Sequence, residues 1–160
     1  MATYLNIVNA VQRRLRSTET AAVTTSDYST LIGDLVNQAK REVEDAWTWL
    51  ALEGSHSFNT VASTSTYTLD GFNERARVRL VHNTTNKGRV LSADYDFISR
   101  LQDFTTAANN QPTWFRVTTP AAADQQIEFF PAPDAVYAMK VYGKTPQDDL
   151  SAASDVLTVP

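Results

Sequence analysis

Residues 27–52 read DYSTLIGDLVNQAKREVEDAWTWLAL, and their apolar side chains recur with the period of an α-helix. At about 100° per residue, one broad stripe is apolar and the opposite side is polar. The apolar stripe comprises Tyr28, Leu31, Ile32, Leu35, Val36, Ala39, Val43, Ala46, Trp47, Trp49 and Leu50, and the polar side comprises Asp34, Asn37, Lys40, Arg41, Glu44 and Thr48. We therefore expect one long amphipathic helix over 27–52, capped by Ser26 or Asp27, with Gly54 just past its end.

A second amphipathic pattern, over residues 3–16, predicts a shorter helix before the long one. The Thr- and Ala-rich segment 17–25 predicts a loop that lets the two helices fold back as a hairpin. A two-helix hairpin cannot bury both apolar stripes, so the remainder must meet a sheet or another subunit. Arg13 and Arg14 near the end of the first helix either complement its dipole or contact an acidic neighbour or a phosphate backbone.

Glu42 interrupts the pattern of the long helix, because it falls inside the apolar stripe. A carboxylate there either lies at the edge of the stripe and reaches water, or pairs with an arginine. For a pair, the natural partners are Arg13, Arg14 or an arginine of a neighbouring subunit.

From residue 55 the apolar period changes from 3.6 to 2, which predicts β-strands. The predicted strands cover 55–61, 66–69, 75–80, 114–118, 126–130 and 136–142. Asp70-Gly71 predicts a hairpin turn, Ser92 the cap of a short helix ending near Phe104, and 105–112 a polar loop. The fold class is α+β: an N-terminal helical hairpin with a long second helix, then an antiparallel β-rich region containing one short helix. We expect a single domain over 1–160, divided into the hairpin 1–53, the β-rich region 54–146 and a C-terminal arm 147–160.

Three arginines alternate along one predicted strand: Arg75, Arg77 and Arg79. They form either a solvated face or a basic row across a subunit boundary or facing DNA.

Composition limits the classes of function. The net charge of −4 argues against a dedicated nucleic-acid binder, and a chain without cysteine has neither disulfides nor thiolate metal sites. No apolar run approaches the ~20 residues of a membrane span, and no signal peptide is evident, so we expect a soluble intracellular protein. His56 and His82 lack a second ligand at metal-binding spacing, and no phosphate-binding loop or nucleophile motif occurs. We therefore expect no enzyme activity, no metal and no cofactor.

The order of several sequence segments resembles that of a known protein family. A long helix ending in the aromatic run NQAKREVEDAWTWL (37–50) precedes QPTWFRV (111–117), IEFFPAPD (127–134) and YAMKVYGKTP (137–146). This arrangement resembles the head-to-tail adaptor (connector) proteins of short-tailed bacteriophages and related viruses, over most of the chain.

The resemblance implies a structural role. Subunits of that family form a ring, usually twelve-fold, beneath the portal protein, and the ring carries the tail nozzle or tail tube. The implied location is the virion neck, after synthesis in the host cytoplasm and with no membrane contact. Genomic DNA would pass through the channel without specific binding. Family members usually continue into C-terminal helices, so we expect that the sequence is shortened here or that 147–160 forms an extended arm. Asp149, Leu150 and Leu157 in that arm are candidates for contact with a subunit or partner.

Two other classes of protein fit parts of the sequence. One is a ligand-binding β-domain for glycans or peptides with an attached helical hairpin, in which Trp114 would belong to an exposed aromatic platform. The other is a hydrolase whose site would use His56 or His82.

Overall fold

A computed structural model describes residues 2–104, 108–118 and 124–159. Within them the chain forms helices followed by a seven-stranded sheet, which confirms the predicted α+β class. Residues 105–107 of the predicted polar loop, and residue 160 of the predicted arm, lie outside this description. The chain divides into two compact units, Met1–Leu52 with Gln147–Pro160, and Glu53–Pro146.

The first unit contains helix α1 (Tyr4–Arg14), helix α2 (Asp27–Ala46) and a short 3-10 helix (Leu50–Leu52). Ser26 caps α2, because its hydroxyl accepts from Ser29 N–H at 3.1 Å while its own N–H donates to the Ser29 hydroxyl at 2.9 Å. The loop between the helices runs back along α1, where Asn9 and Thr20 exchange two hydrogen bonds. The core of this unit consists of Tyr4, Val8, Val23, Ile32 and Leu150.

Helix α2 ends at Ala46, six residues earlier than the sequence predicts. Trp47 has an extended backbone, and the indole N–H of Trp49 donates at 2.8 Å to the carbonyl of Val43, one of the acceptors that the last helical turn leaves free. Gly54, predicted as the helix stop, lies instead in the first strand, where an added Cβ would come within 2.7 Å of the Thr145 hydroxyl.

The predicted orientation of α2 is also wrong. Lys40 and Glu44, expected on the water-facing side, are buried, whereas Leu31 is 54% and Leu35 55% exposed. The physical reason is that the C-terminal segment packs on the polar side of the helix, where its backbone carbonyls accept hydrogen bonds from Lys40. Lys40 and Glu44 form an ion pair at 3.6 Å, out of contact with water.

The second unit is a sheet with the strand order β1-β7-β3-β4-β5-β6-β2. Its elements are β1 (Glu53–Asn59), β2 (Thr66–Thr68), β3 (Arg77–Asn83), β4 (Gly88–Ser92), helix α3 (Tyr95–Phe104), β5 (Trp114–Thr118), β6 (Gln126–Phe130) and β7 (Ala138–Lys144). All neighbouring strands are antiparallel except β4 and β5, which are parallel and joined by a connection that contains α3. The sheet is therefore mixed rather than wholly antiparallel.

Three local predictions in this unit are corrected. Asp70-Gly71 does not make a hairpin, because β2 pairs with β6 while β3 pairs with β7 and β4. Strand β4 is additional, and it pairs with β3 across the turn at 84–87. Ser92 ends this strand instead of capping α3, which begins at Tyr95. The core of the unit is formed by Leu69, Phe72, Ala76, Val81, Val90, Phe115, Ile127, Phe129, Met139 and Val141.

A substitution at Gly33 tests how closely α2 packs on its neighbours. An added Cβ would lie 2.4 Å from the Tyr4 hydroxyl oxygen and 2.7 Å from Val23 Cγ1, both buried. Alanine favours a helix over glycine by about 1 kcal/mol, but overpacking typically costs about 1–3 kcal/mol. We expect Gly33→Ala to lower the free energy of unfolding in urea by about 1 kcal/mol. Gln38→Ala, at an exposed position of the same helix, should leave it within about 0.5 kcal/mol; a stabilised Gly33→Ala protein would contradict this packing.

Candidate functional site

The two histidines that were candidates for enzyme chemistry, His56 and His82, are not brought together. His56 lies beside Val141 in the sheet, and Val141 in turn lies beside Val81, whereas His82 lies beside Lys140. Because successive residues of a strand point to opposite faces, the two imidazoles lie on opposite faces of the sheet. Among the described residues, no group of three histidine or acidic side chains is placed to hold a metal ion.

Trp114 does not form an open aromatic platform. Its side chain is half-buried, and its ring packs edge-on against Phe97 with ring centroids 4.9 Å apart. The arrangement therefore gives no support to a glycan- or peptide-binding platform at this residue.

The candidate contact residues on the helices are accessible. Arg13 pairs with Glu19 at 2.8 Å, with both side chains more than half exposed, and Arg14 is exposed. Glu42 is exposed and accepts a hydrogen bond of 3.1 Å from the Gln38 amide, which favours the interpretation that it lies at the edge of the apolar stripe.

The three arginines predicted on one strand face do not share one strand. Arg75 precedes β3 and is partly buried, Arg77 is the first residue of β3, and Arg79 lies where the pairing of β3 with β7 shifts register. Arg79 also pairs with Glu53 of β1. A register shift of this kind breaks the alternation of side chains, so the three arginines do not form a continuous row.

The three candidates in the C-terminal segment have different environments. Asp149 is exposed and pairs with Arg41 of α2. Leu150 is only 3% exposed and belongs to the core of its own unit, so the folded unit does not offer it to a partner. Leu157 is partly buried and packs against the same core.

A set of polar contacts joins the C-terminal segment to α2, and we call it the tail latch: Asn37, Lys40 and Arg41 with residues 147–150. Lys40 Nζ donates to the carbonyls of Gln147 at 2.7 Å and Asp148 at 2.8 Å. The Asn37 amide accepts from Leu150 N–H at 2.9 Å and donates to its carbonyl at 3.0 Å. The two bonds of Asn37 satisfy both backbone groups of the buried Leu150. They fix residues 147–150 against the polar side of α2.

The Tyr4 hydroxyl lies beside the tail latch, 3.5 Å from the side-chain nitrogen of Asn37. Burial, and then the carboxylates of Asp34 and Asp149, raise the pKa of this hydroxyl above its ordinary value. The hydroxyl therefore stays protonated and neutral over the physiological range.

An apolar groove lies on the same unit and has a volume of about 390 Å³. We call it the helical groove; it is lined by Ile7, Val11, Leu15, Ile32, Leu35, Val36, Ala39, Lys40, Val43, Leu157 and Val159. Apart from Lys40, whose ammonium is held by the tail latch, these side chains are apolar. Farther along the same unit, Trp47 is 70% exposed and Leu50 is 87% exposed.

Sequence reasoning found the apolar residues of this surface but not the tail latch. The signal was present as hydrogen-bonding side chains at helical spacing, Asn37, Lys40, Arg41 and Glu44, opposite the apolar stripe. Such a stripe is typical of a solvated face, and only the position of the C-terminal segment shows that it is covered.

The chain matches the family model described as SU10 adaptor protein over residues 2–160. It belongs to the SU10 adaptor protein family. A comparison with curated protein sequences finds no match.

Membership makes this chain a phage structural protein of the virion neck, where it interacts with other virion components, and not a member of an enzyme family. The expectation of a phage adaptor is thereby confirmed at the level of the family. None of the helices that the structure describes combines the length and hydrophobicity needed to cross a membrane.

Substitutions of two neighbouring cationic residues, Lys40 and Arg41, test the tail latch. Lys40 is 1% exposed, and removing one partner of a buried charge network typically costs about 3–5 kcal/mol. Arg41 is 51% exposed in its pair with Asp149, and such a pair contributes about 0–1 kcal/mol. We expect Lys40→Met to lower the urea unfolding free energy by about 3 kcal/mol and Arg41→Met by less than 1 kcal/mol; equal losses would be incompatible with a buried latch.

Proposed function

We propose that this adaptor assembles into a ring, twelve-fold as the sequence resemblance implies, that joins the portal protein to the tail nozzle or tail tube. Membership of a phage adaptor family supports a joining role in the neck. The observation that carries the ring is the uncovered apolar surface of the first unit, which comprises the helical groove and the exposed side chains of Trp47 and Leu50.

The exposed apolar side chains of this unit support association. Monomeric proteins rarely expose large contiguous apolar patches, and such patches mark interaction sites. Leu31, Leu35 and Val43 are all more than two-fifths exposed on one helix that also carries a fully buried lysine. Burial of this surface in an assembly recovers hydrophobic stabilisation that the isolated chain lacks.

The proposed ring lines the conduit through which genomic DNA leaves the capsid. A conduit wall should let DNA slide, and strong phosphate binding would hold it back. The net charge of −4 agrees with this requirement.

Native mass spectrometry tests the ring. The 17.7-kDa chain is measured alone and mixed with the portal protein of the same phage. We expect a complex in which the portal carries about twelve adaptor chains. A portal protein from a phage without this adaptor family serves as the control and should bind none. A chain that stays monomeric, or stops at a dimer, with its own portal would refute the proposed ring.

DNA binding tests the conduit. Fluorescence anisotropy of a labelled duplex of about 30 base pairs is followed as adaptor is added at about 150 mM salt. Ordinary non-specific DNA binding has a Kd of roughly 10⁻⁴ to 10⁻⁶ M at such salt, and we expect binding weaker than that range. Micromolar binding that weakens steeply with added salt would contradict a wall that lets DNA slide.

A further inference from the structure

We propose that Trp47 of one subunit inserts into the helical groove of the next subunit, with Glu42 of the first beside Arg14 and Arg16 of the second. This inference rests on the proposed ring and names the surface by which two copies meet.

Trp47 has the properties of an interface anchor. It is 70% exposed, lies directly after the end of α2, and has an extended backbone. Its neighbour Trp49 is different, because the indole N–H of Trp49 is bound to the Val43 carbonyl of the same chain. Tryptophan is among the residues most enriched where a few side chains carry the binding energy of an interface.

The helical groove has the properties of a receptor for such a side chain. Its volume of about 390 Å³ lies within the range of about 300–1,000 Å³ typical of ligand pockets, and its free lining is apolar. Leu15 and Leu35 in that lining are each more than half exposed. Trp47 is not among the lining residues, so the chain does not fill the groove with its own indole.

The charges beside the two surfaces are complementary. Arg14 and Arg16 flank Leu15 of the groove, both are exposed, and neither forms an ion pair with any residue that the structure describes. Glu42, five residues before Trp47 on the helix that leads to it, is exposed and has only an amide hydrogen bond within the described part of the chain. Opposite charges without ion-pair partners on both surfaces favour a second copy as the occupant.

In the proposed ring this contact is heterologous. The anchor and the groove are formed by different residues of one unit, and each copy in the ring uses its Trp47 on one neighbour and its groove on another. Contacts of this heterologous kind close into a ring when the rotation between copies fits.

Cross-linking tests the contact directly, because the chain has no cysteine of its own. Trp47→Cys and Leu35→Cys are prepared as separate single variants and assembled on the portal protein, alone and as a mixture. A short bis-maleimide should join Trp47→Cys to Leu35→Cys chains in the mixture and give little product with either variant alone. Equal cross-linking of Trp47→Cys chains to each other would overturn the heterologous contact.

Truncation of the anchor gives a second measurement. Trp47→Ala should raise the concentration needed for assembly on the portal about tenfold or more. The control is Phe104→Ala, which removes an aromatic side chain that is 86% exposed in the other unit. This control should change the concentration less than about threefold. Glu42→Arg should weaken assembly, and combining it with Arg14→Glu and Arg16→Glu in the same chain should restore it. Circular dichroism confirms that each variant is folded.

The outcomes separate this contact from the proposed function. If the unaltered chain assembles on the portal while Trp47→Ala assembles equally well and the mixture gives no cross-link, the contact is wrong and the ring stands. If the unaltered chain does not assemble, both are wrong.

Discussion

An ammonium group removed from water needs hydrogen-bond acceptors around it, and this requirement governs the first unit of the adaptor. The Lys40 ammonium obtains two backbone carbonyls, of Gln147 and Asp148, and lies 3.6 Å from the Glu44 carboxylate. Because the two closest acceptors belong to the C-terminal segment, the burial of Lys40 and the position of that segment depend on each other. Neither the lysine nor the segment could keep its environment without the other.

The same segment completes other parts of the unit. Tyr4 N–H donates to the Asp155 carbonyl at 2.7 Å and Leu5 N–H to the Ala153 carbonyl at 3.2 Å, so the segment supplies acceptors to the first turn of α1, whose donors lack partners inside the helix. Asn37 fixes Leu150 from the side of α2. Since the segment occupies the polar side of α2, the apolar side is the one left open, which reverses the usual arrangement of an amphipathic helix.

The sequence predicted those features that depend on local chemistry. The cap at Ser26, one of the two residues expected there, and the strand over 126–130 follow from hydroxyl chemistry and from the period-2 pattern, and the structure confirms them. The sequence could not predict which side of α2 is covered. A helical wheel identifies the apolar side of a helix but not the side against which another segment packs. Strand β4 was missed because Val90 is its one buried side chain, which leaves no alternation to detect. The early end of α2 depends on the Trp49 indole, whose N–H binds the Val43 carbonyl. The apolar period of the sequence carries no information about this hydrogen bond.

The tail latch and the helical groove are physically one system. Leu157 and Val159 line the groove, and they follow directly along the chain from the residues that Lys40 and Asn37 hold. Gln147 strengthens this connection, because its side chain donates to the Val156 carbonyl at 2.8 Å and accepts from Thr158 N–H at 3.0 Å. A change that frees the segment from α2 therefore removes one wall of the groove as well as the partners of a buried lysine. Stability of the unit and its capacity to receive a neighbouring subunit are for this reason expected to fall together, whereas a change at the exposed Trp47 separates them.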